Sequence, residues 1–192
     1  MKLKRGRDEI IFVSKNKWKF EEVRDMLRGS GIRLVQRGME LDEIQDKDVE
    51  KVAARKAQDA YFILNKPVLA EDTGLYIKAM NGYPGSLIRH FFYSIGPQGI
   101  IDFLKGNDRE ATAATALAYC DSEGLHSFTG EVSGTVSRQI KGTSRFDWDC
   151  IFVPEGHEET YGEMKVSHKN NISQRRKALD GFVTWFCSRE KR

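Results

Sequence analysis

Val68-Leu69-Ala70-Glu71-Asp72-Thr73-Gly74-Leu75, followed by Asn81-Gly82-Tyr83-Pro84-Gly85, is the stretch around which this chain is organised. An apolar run, Val68 to Ala70, ends in two adjacent carboxylates, and apolar residues resume after Thr73 and Gly74. The pattern predicts a buried strand that delivers two acids to its end, with a turn to hold them there. Neighbouring carboxylates repel, and placing them where a strand leaves the core is costly. Either they seat a cation or move a proton, or the segment is a solvated Asp-Thr-Gly turn.

Upstream, Asp48 caps a predicted helix from Val49 to about Leu64 that packs through Ala53, Ala54, Ala57, Ala60 and Tyr61. Lys56 rides on this helix, with Asp59 as an i,i+3 partner, the ordinary role of an exposed lysine. Before it lie an acidic segment, Met39 to Gln45, and a short strand candidate, Ile32 to Val35. Glu9 to Val13 is β-branched and apolar, a buried first strand. A helix from Trp18 to Arg28 follows, with Ser14 and Asn16 as candidate caps. Lys15, Lys17 and Lys19 crowd its positive end, against the helix dipole. A phosphate chain bound there would account for them; an ordinary solvated capping loop is the alternative.

Downstream, Ser86 to Ser94, carrying Arg89 and His90, and Pro97 to Gly106 read as helices. Ala111 to Cys120 is a central strand. Leu125 to Phe128 and Glu131 to Ile140 continue as strands broken by Gly130 and Gly134, where a bulge or a close approach is expected. Strands and helices alternate in the first half, and strands follow one another in the second. That predicts a mixed α/β fold with α+β character, with a long mixed central sheet flanked by helices. Residues 1–192 are expected to form one domain of two lobes, with the site in the cleft between them. Phe146-Asp147-Trp148-Asp149 precedes an apolar strand, Ile151 to Pro154; its aromatics either stack a base or close the core. Asn171 or Ser173 caps a last helix with Ala178, Leu179, Phe182, Val183 and Phe186 as its core stripe. Arg175 and Arg176 in its first turn again suggest an anion or donors that read a base.

Hydrophobic residues make up 40% of the 192 and charged ones 31%, enough for a sizeable core. No apolar run approaches the roughly 20 residues that cross a bilayer. Met1 to Arg7 is basic, but Ile10 to Val13 is too short for a secretory signal. Cys120, Cys150 and Cys187 form neither a disulfide framework nor a zinc pattern, which points to the cytoplasm. The charge balance, 31 − 28 = +3, implies no nucleic-acid or membrane partner. It is compatible with a basic pocket for a small polyanion. Arg189 to Arg192 reads as a frayed tail.

From about Ile10 to Phe186 the chain resembles the inosine triphosphate pyrophosphatases, the Ham1-like enzymes of non-standard purine nucleoside triphosphates. The likeness rests on motifs in order. Ser14-x-Asn16-x-x-Lys19 with Glu21 looks like the phosphate loop, and Glu43-Ile44-Gln45 like the acidic metal-binding segment. Lys56 falls where the second helix carries a lysine. Ala70-Glu71-Asp72-Thr73-Gly74-Leu75 with Gly82-x-Pro84-Gly85 is the most specific signature. Phe128-x-Gly130-x-x-x-Gly134, Phe146-x-Trp148-Asp149 and Lys169-Asn170-x-x-Ser173-x-Arg175 complete the series.

The resemblance implies a Mg²⁺-dependent hydrolase that splits ITP, dITP and XTP into monophosphate and pyrophosphate. It implies that Ser14, Asn16, Lys19 and Lys56 hold the phosphates and that Glu43 and Asp72 hold Mg²⁺. Asp72, assisted by Glu71, would take the proton of the attacking water. Phe146 and Trp148 would stack on the purine, Gln174 and Arg175 would donate to its 6-oxo oxygen, and Asp149 would accept from its ring N–H. Thr73, Arg89 and Lys169 complete the expected substrate contacts. A homodimer is implied as well. Three positions depart from the family pattern: Asp147 stands for a glycine, Cys150 for a proline and Gln174 for a histidine. They leave the hydrolytic residues intact and bear on base preference. The alternatives are an altered base preference or a nucleotide-binding protein without turnover.

Overall fold

The computed structural model describes residues 9–143 and 146–189; the basic segment 1–7 and the tail beyond 189 lie outside the described residues. The chain runs β1 (Ile10–Val13), α1 (Lys17–Met26), β2 (Leu34–Arg37), α2 (Val49–Leu64), β3 (Val68–Ile77) and β4 (Tyr83–Gly85). It continues with α3 (Ile88–Phe103), β5 (Glu110–Asp121), β6 (Gly124–Val136), β7 (Phe152–Pro154), α4 (Val166–Ile172) and α5 (Gln174–Arg189). Seven strands form one mixed sheet in the order β2-β1-β3-β5-β6-β7, with β4 also on β3. The β1 pairings to β2 and β3 are parallel and the rest antiparallel. The mixed α/β class read from the sequence is the class observed.

Several boundaries differ from expectation. β3 does not end at the acids but runs straight through them to Ile77, paired with β5 over its whole length. Gly82 to Gly85, expected as a turn, contains the short strand β4, antiparallel to β3. β6 is continuous across Gly130 and Gly134, so these glycines mark close approaches and not breaks. A Cβ at Gly134 would fall 2.3 Å from the carbonyl oxygen of Val153 in β7. The two helices expected around Gly96 are present within α3; Gly96 (φ 68°, ψ 175°) breaks the helical path between them.

Alternation along the long strands builds three apolar clusters. Ala70, Ala114, Ala116 and Ala118 face α2, whose alanine stripe lets helix and sheet approach closely. On the other face, Leu69, Leu117 and Tyr119 pack under α1 and α5 with Phe182. Further along that face, Leu75, Ile77 and Ala113 pack under α3 and the segment around Ile151 and Phe152. A polar row separates the last two clusters. Thr73 pairs with Thr115, which pairs with Gly130. Thr115 is completely buried, and its Oγ1 lies 2.9 Å from that of Thr73.

Candidate active site

The site opens at a gap in the edge of β3. β1 pairs only as far as Ala70, and β4 joins only from Leu75, so Glu71 to Gly74 have a strand partner on the β5 side alone. After Val13 the chain leaves the sheet as Ser14–Asn16 and starts α1 beside the gap. A cavity of about 400 Å³ fills this place, lined by Lys19, Glu43, Lys56, Asp72 and Arg89 at one end. Phe146, Trp148, Asp149, Lys169 and Gln174 line the other.

Glu71 and Asp72 follow the alternation of the strand and leave the sheet on opposite sides. Glu71 shares the face of Leu69 and meets Arg175, whose Nε and Nη2 donate to its two oxygens at 2.9 and 2.8 Å. Lys19 Nζ lies 3.2 Å from Glu71 Oε1, and Thr73 Oγ1 donates to the same oxygen at 3.1 Å. Since the Thr73 proton goes to Glu71, the Thr115 hydroxyl is left to donate to Thr73. Burial pushes the Glu71 carboxyl up, but Arg175 and Lys19 outweigh it and hold it at about 2. Glu71 is therefore a fixed anion, held from two sides by cations.

Asp72 shares the face of Ala70 and looks toward α2. Burial raises its carboxyl from 3.8 to about 7; Lys19 and Lys56 oppose this, while Glu43 and Glu71 add to it. Its Oδ2 is buried without a hydrogen-bond partner among the described residues. Glu43 pairs with Lys56 at 2.8 Å. Burial raises the Glu43 carboxyl and Lys56, Lys19 and Arg89 lower it, with a net lowering. An orphan carboxylate oxygen beside a second carboxylate suits a hard divalent ion that draws its other ligands from water and phosphate. Among the described residues no three His, Cys, Asp or Glu side chains gather into a closed metal cage, so such an ion would depend on a bound anion.

The opposite end is a charged network centred on Glu22, a residue that the sequence motifs do not single out. Glu22 is buried on α1, accepts from Arg175 Nη1 and lies 3.7 Å from Lys169 Nζ. Lys169 in turn donates to buried Asp149. Burial raises the Asp149 carboxyl and Lys169 only partly offsets it. Lys19, Glu71, Arg175, Glu22, Lys169 and Asp149 thus form one chain of alternating charge from one end of the cavity to the other. A signal for Glu22 exists in the sequence: it falls one turn before Met26, on the apolar side of α1, where a carboxylate is out of place.

Several expected roles are met differently. Asn16 Oδ1 accepts from the amides of Trp18 and Lys19, and Ser14 Oγ from the amide of Asn16, so backbone donors expected to face a phosphate are occupied. Lys56 pairs with Glu43 and not with Asp59, which takes Arg55. Arg175 commits N–H groups on three nitrogens to Glu71 and Glu22, leaving two of its five. The Phe146 ring lies against two cations, 4.3 Å from Lys169 Nζ and 4.9 Å from the Arg175 guanidinium carbon. Trp148 lines the cavity but packs into the core, edge-on to Phe152 at 5.7 Å. Ser173 is the cap of α5: its Oγ accepts from the Arg176 amide. Asp147 also lines the cavity, and Cys150 is buried just behind it.

The profile of the Ham1 family matches residues 10–185. The chain is 35% identical over 180 residues to a dITP/XTP pyrophosphatase of Methanopyrus kandleri, covering 93% of this chain and 96% of that one. It is 40% identical over 174 residues to an inosine triphosphate pyrophosphatase of Yarrowia lipolytica, covering 89% and 92%. Among solved structures, a HAM1 protein from Coxiella burnetii matches with a TM-score of 0.82 at 25% identity, over 94% of this chain and 98% of the other.

Proposed function

The chain belongs to the Ham1 family, and on that premise we propose that it hydrolyses ITP, dITP and XTP to the monophosphate and pyrophosphate. The observation that carries this reading is the polarity of the cavity. Lys19, Lys56 and Arg89 meet Glu43 and Asp72 at one end; an aromatic ring and a carboxamide meet at the other, beside the paired charges of Lys169 and Asp149.

A triphosphate carries about four negative charges and needs cationic partners. Lys19, Lys56 and Arg89 supply them, with Ser14 and Asn16 shaping the loop beside them. Glu43 and Asp72 would hold Mg²⁺, which would neutralise charge on the phosphates and lower the pKa of a bound water. Asp72 takes the proton of the attacking water as the α–β anhydride bond breaks and pyrophosphate leaves; its raised pKa belongs to the metal-free site, and a bound ion would lower it. Glu71 takes no part in that proton transfer, because it is a permanent anion that holds Lys19 and Arg175 in place.

At the other end Phe146 stacks on the purine over its Lys169 and Arg175 floor, while Trp148 backs the wall. Gln174 donates to a 6-oxo group; adenine, which presents a donor there, leaves it unpaired. In this reading residues 1–192 are one domain whose two lobes meet at the Thr73–Thr115–Gly130 row. The working form is a homodimer in the cytoplasm, which gel filtration and fractionation test. Among the described residues no helix is long and apolar enough to cross a membrane. The deciding assay is pyrophosphate release from ITP, dITP, XTP, ATP and GTP with and without Mg²⁺. We expect Mg²⁺-dependent release, fast from the first three and slow from ATP; GTP, which also carries a 6-oxo group, shows whether a 2-amino group is accepted. Release that is equal from ITP and ATP removes the selectivity, and no release from any removes the enzyme.

A further inference from the structure

Gln174 can read a base only if its carboxamide is held one way round. A free carboxamide turns through a half circle at little cost, offering an oxygen in one pose and an N–H₂ in the other. A site built from it alone would greet a 6-oxo and a 6-amino purine alike. The structure supplies what fixes it. Tyr161 Oη lies 3.2 Å from Gln174 Oε1, and both residues are 2% exposed.

We infer that Tyr161 is a specificity-setting positioning residue: its buried hydroxyl donates to Gln174 Oε1 and so turns the carboxamide N–H₂ toward the base. The inference rests on the proposed function and adds to it the device behind the 6-oxo preference.

Several observations support it. The Tyr161 ring is itself fixed, with its centroid 5.1 Å from that of Phe152 and 6.4 Å from that of Trp148. Its backbone is fixed too, since the Tyr161 amide donates to the Phe152 carbonyl at 3.0 Å. Burial and nearby Asp149 raise the phenol, so it remains a proton donor at every working pH. A buried O–H must donate somewhere, and Gln174 Oε1 is the acceptor within reach. Gln174 is also anchored at its backbone. Its carbonyl sits against Gly130 in β6 so closely that a Cβ there would approach to 2.2 Å, which leaves α5 no room to move closer to the sheet.

The test is the ratio of kcat/KM for ITP over ATP. Tyr161→Phe keeps the ring and removes the hydroxyl, so the carboxamide is free to turn. The ratio is expected to fall by about tenfold or more, as befits one lost orienting hydrogen bond. In a Gln174→Ala background, Tyr161→Phe should change the ratio no further, because Tyr161 acts through Gln174. A merely structural tyrosine would lower activity on both nucleotides alike and would do so in both backgrounds. Gln174→Glu leaves Tyr161 untouched and guards against a Tyr161 variant that does not fold. It replaces the N–H₂ by an oxygen, so the ratio should fall sharply. If the wild-type carboxamide already turned its oxygen to the cavity, Gln174→Glu would leave the ratio unchanged and the inference would be overturned. An unchanged ratio in folded Tyr161→Phe overturns it as well. A wild-type enzyme that treats ITP and ATP alike overturns the proposed selectivity, and this inference with it.

Discussion

Glu71 and Asp72 are adjacent in β3, yet they leave the sheet on opposite faces and ionise in opposite directions. Two acids in sequence look like one chemical unit. The pleat of the strand makes them two, because Arg175 reaches only the face that carries Glu71. One becomes a structural anion, and burial raises the carboxyl of the other to about 7. The gap between β1 and β4 lets both border the same cavity.

Asp72→Asn should abolish pyrophosphate release and stabilise the metal-free protein at neutral pH. The folded-state pKa of Asp72 is raised, so the folded form binds its proton more tightly than the unfolded chain. Its stabilising effect is complete below 3.8 and is lost as pH rises to about 7. The span from 3.8 to about 7 corresponds to at most about 4 kcal/mol. Urea titrations without metal should show the variant and wild type converging near pH 4 and the variant ahead at pH 8. A variant that turns over ITP, or that gains nothing at pH 8, contradicts the assignment.

Arg175→Ala should be among the most damaging single changes. It leaves buried Glu71 with Lys19 and buried Glu22 with Lys169 as their remaining cations, and the loss of one partner from such a network costs about 3–5 kcal/mol. The deficit depends on pH with the opposite sign to that of Asp72. The Glu71 pKa is depressed, so its contribution is present above 4.5 and is lost as pH falls toward about 2. Urea midpoints should therefore differ widely at pH 7 and draw together in acid. A pH-independent deficit would mean that Arg175 acts through packing alone.

How much of the fold and the site is legible in the sequence can be seen residue by residue. Ala53, Ala57 and Ala60 announce a close helix–sheet contact, and Asp48 announces the helix start, because both signals are local. The continuation of β3 past Asp72 is hidden, because what makes Glu71 tolerable inside a sheet is Arg175, more than a hundred residues away. Glycines at 130 and 134 look like interruptions in one dimension and are clearances in three. Tyr161 escapes notice for a related reason: a tyrosine is ordinary until the fold gives it a buried partner, whereas Glu22 is marked only by its place on the apolar side of α1.

Gly130 and Gly181 both face α5, or lie in it, and the structure predicts opposite outcomes for replacing them. A Cβ at Gly130 would lie 2.2 Å from the Gln174 carbonyl oxygen and 2.5 Å from the Ala178 nitrogen, both backbone atoms. Neither can turn aside, so the start of α5 must move off the sheet and take Gln174 and Arg175 with it. Such overpacking costs about 1–3 kcal/mol. Gly130→Ala should lower the urea midpoint accordingly and also reduce the preference for ITP over ATP. At Gly181 the nearest atom to an added Cβ is Phe128 Cδ1 at 3.7 Å, an ordinary contact. Gly181 lies inside the helix, where alanine is better than glycine by about 0.5–1 kcal/mol. Gly181→Ala should therefore raise the urea midpoint and leave the nucleotide preference untouched. If both substitutions shift stability the same way, the tight seat of α5 on β6 is not what places Gln174 and Arg175.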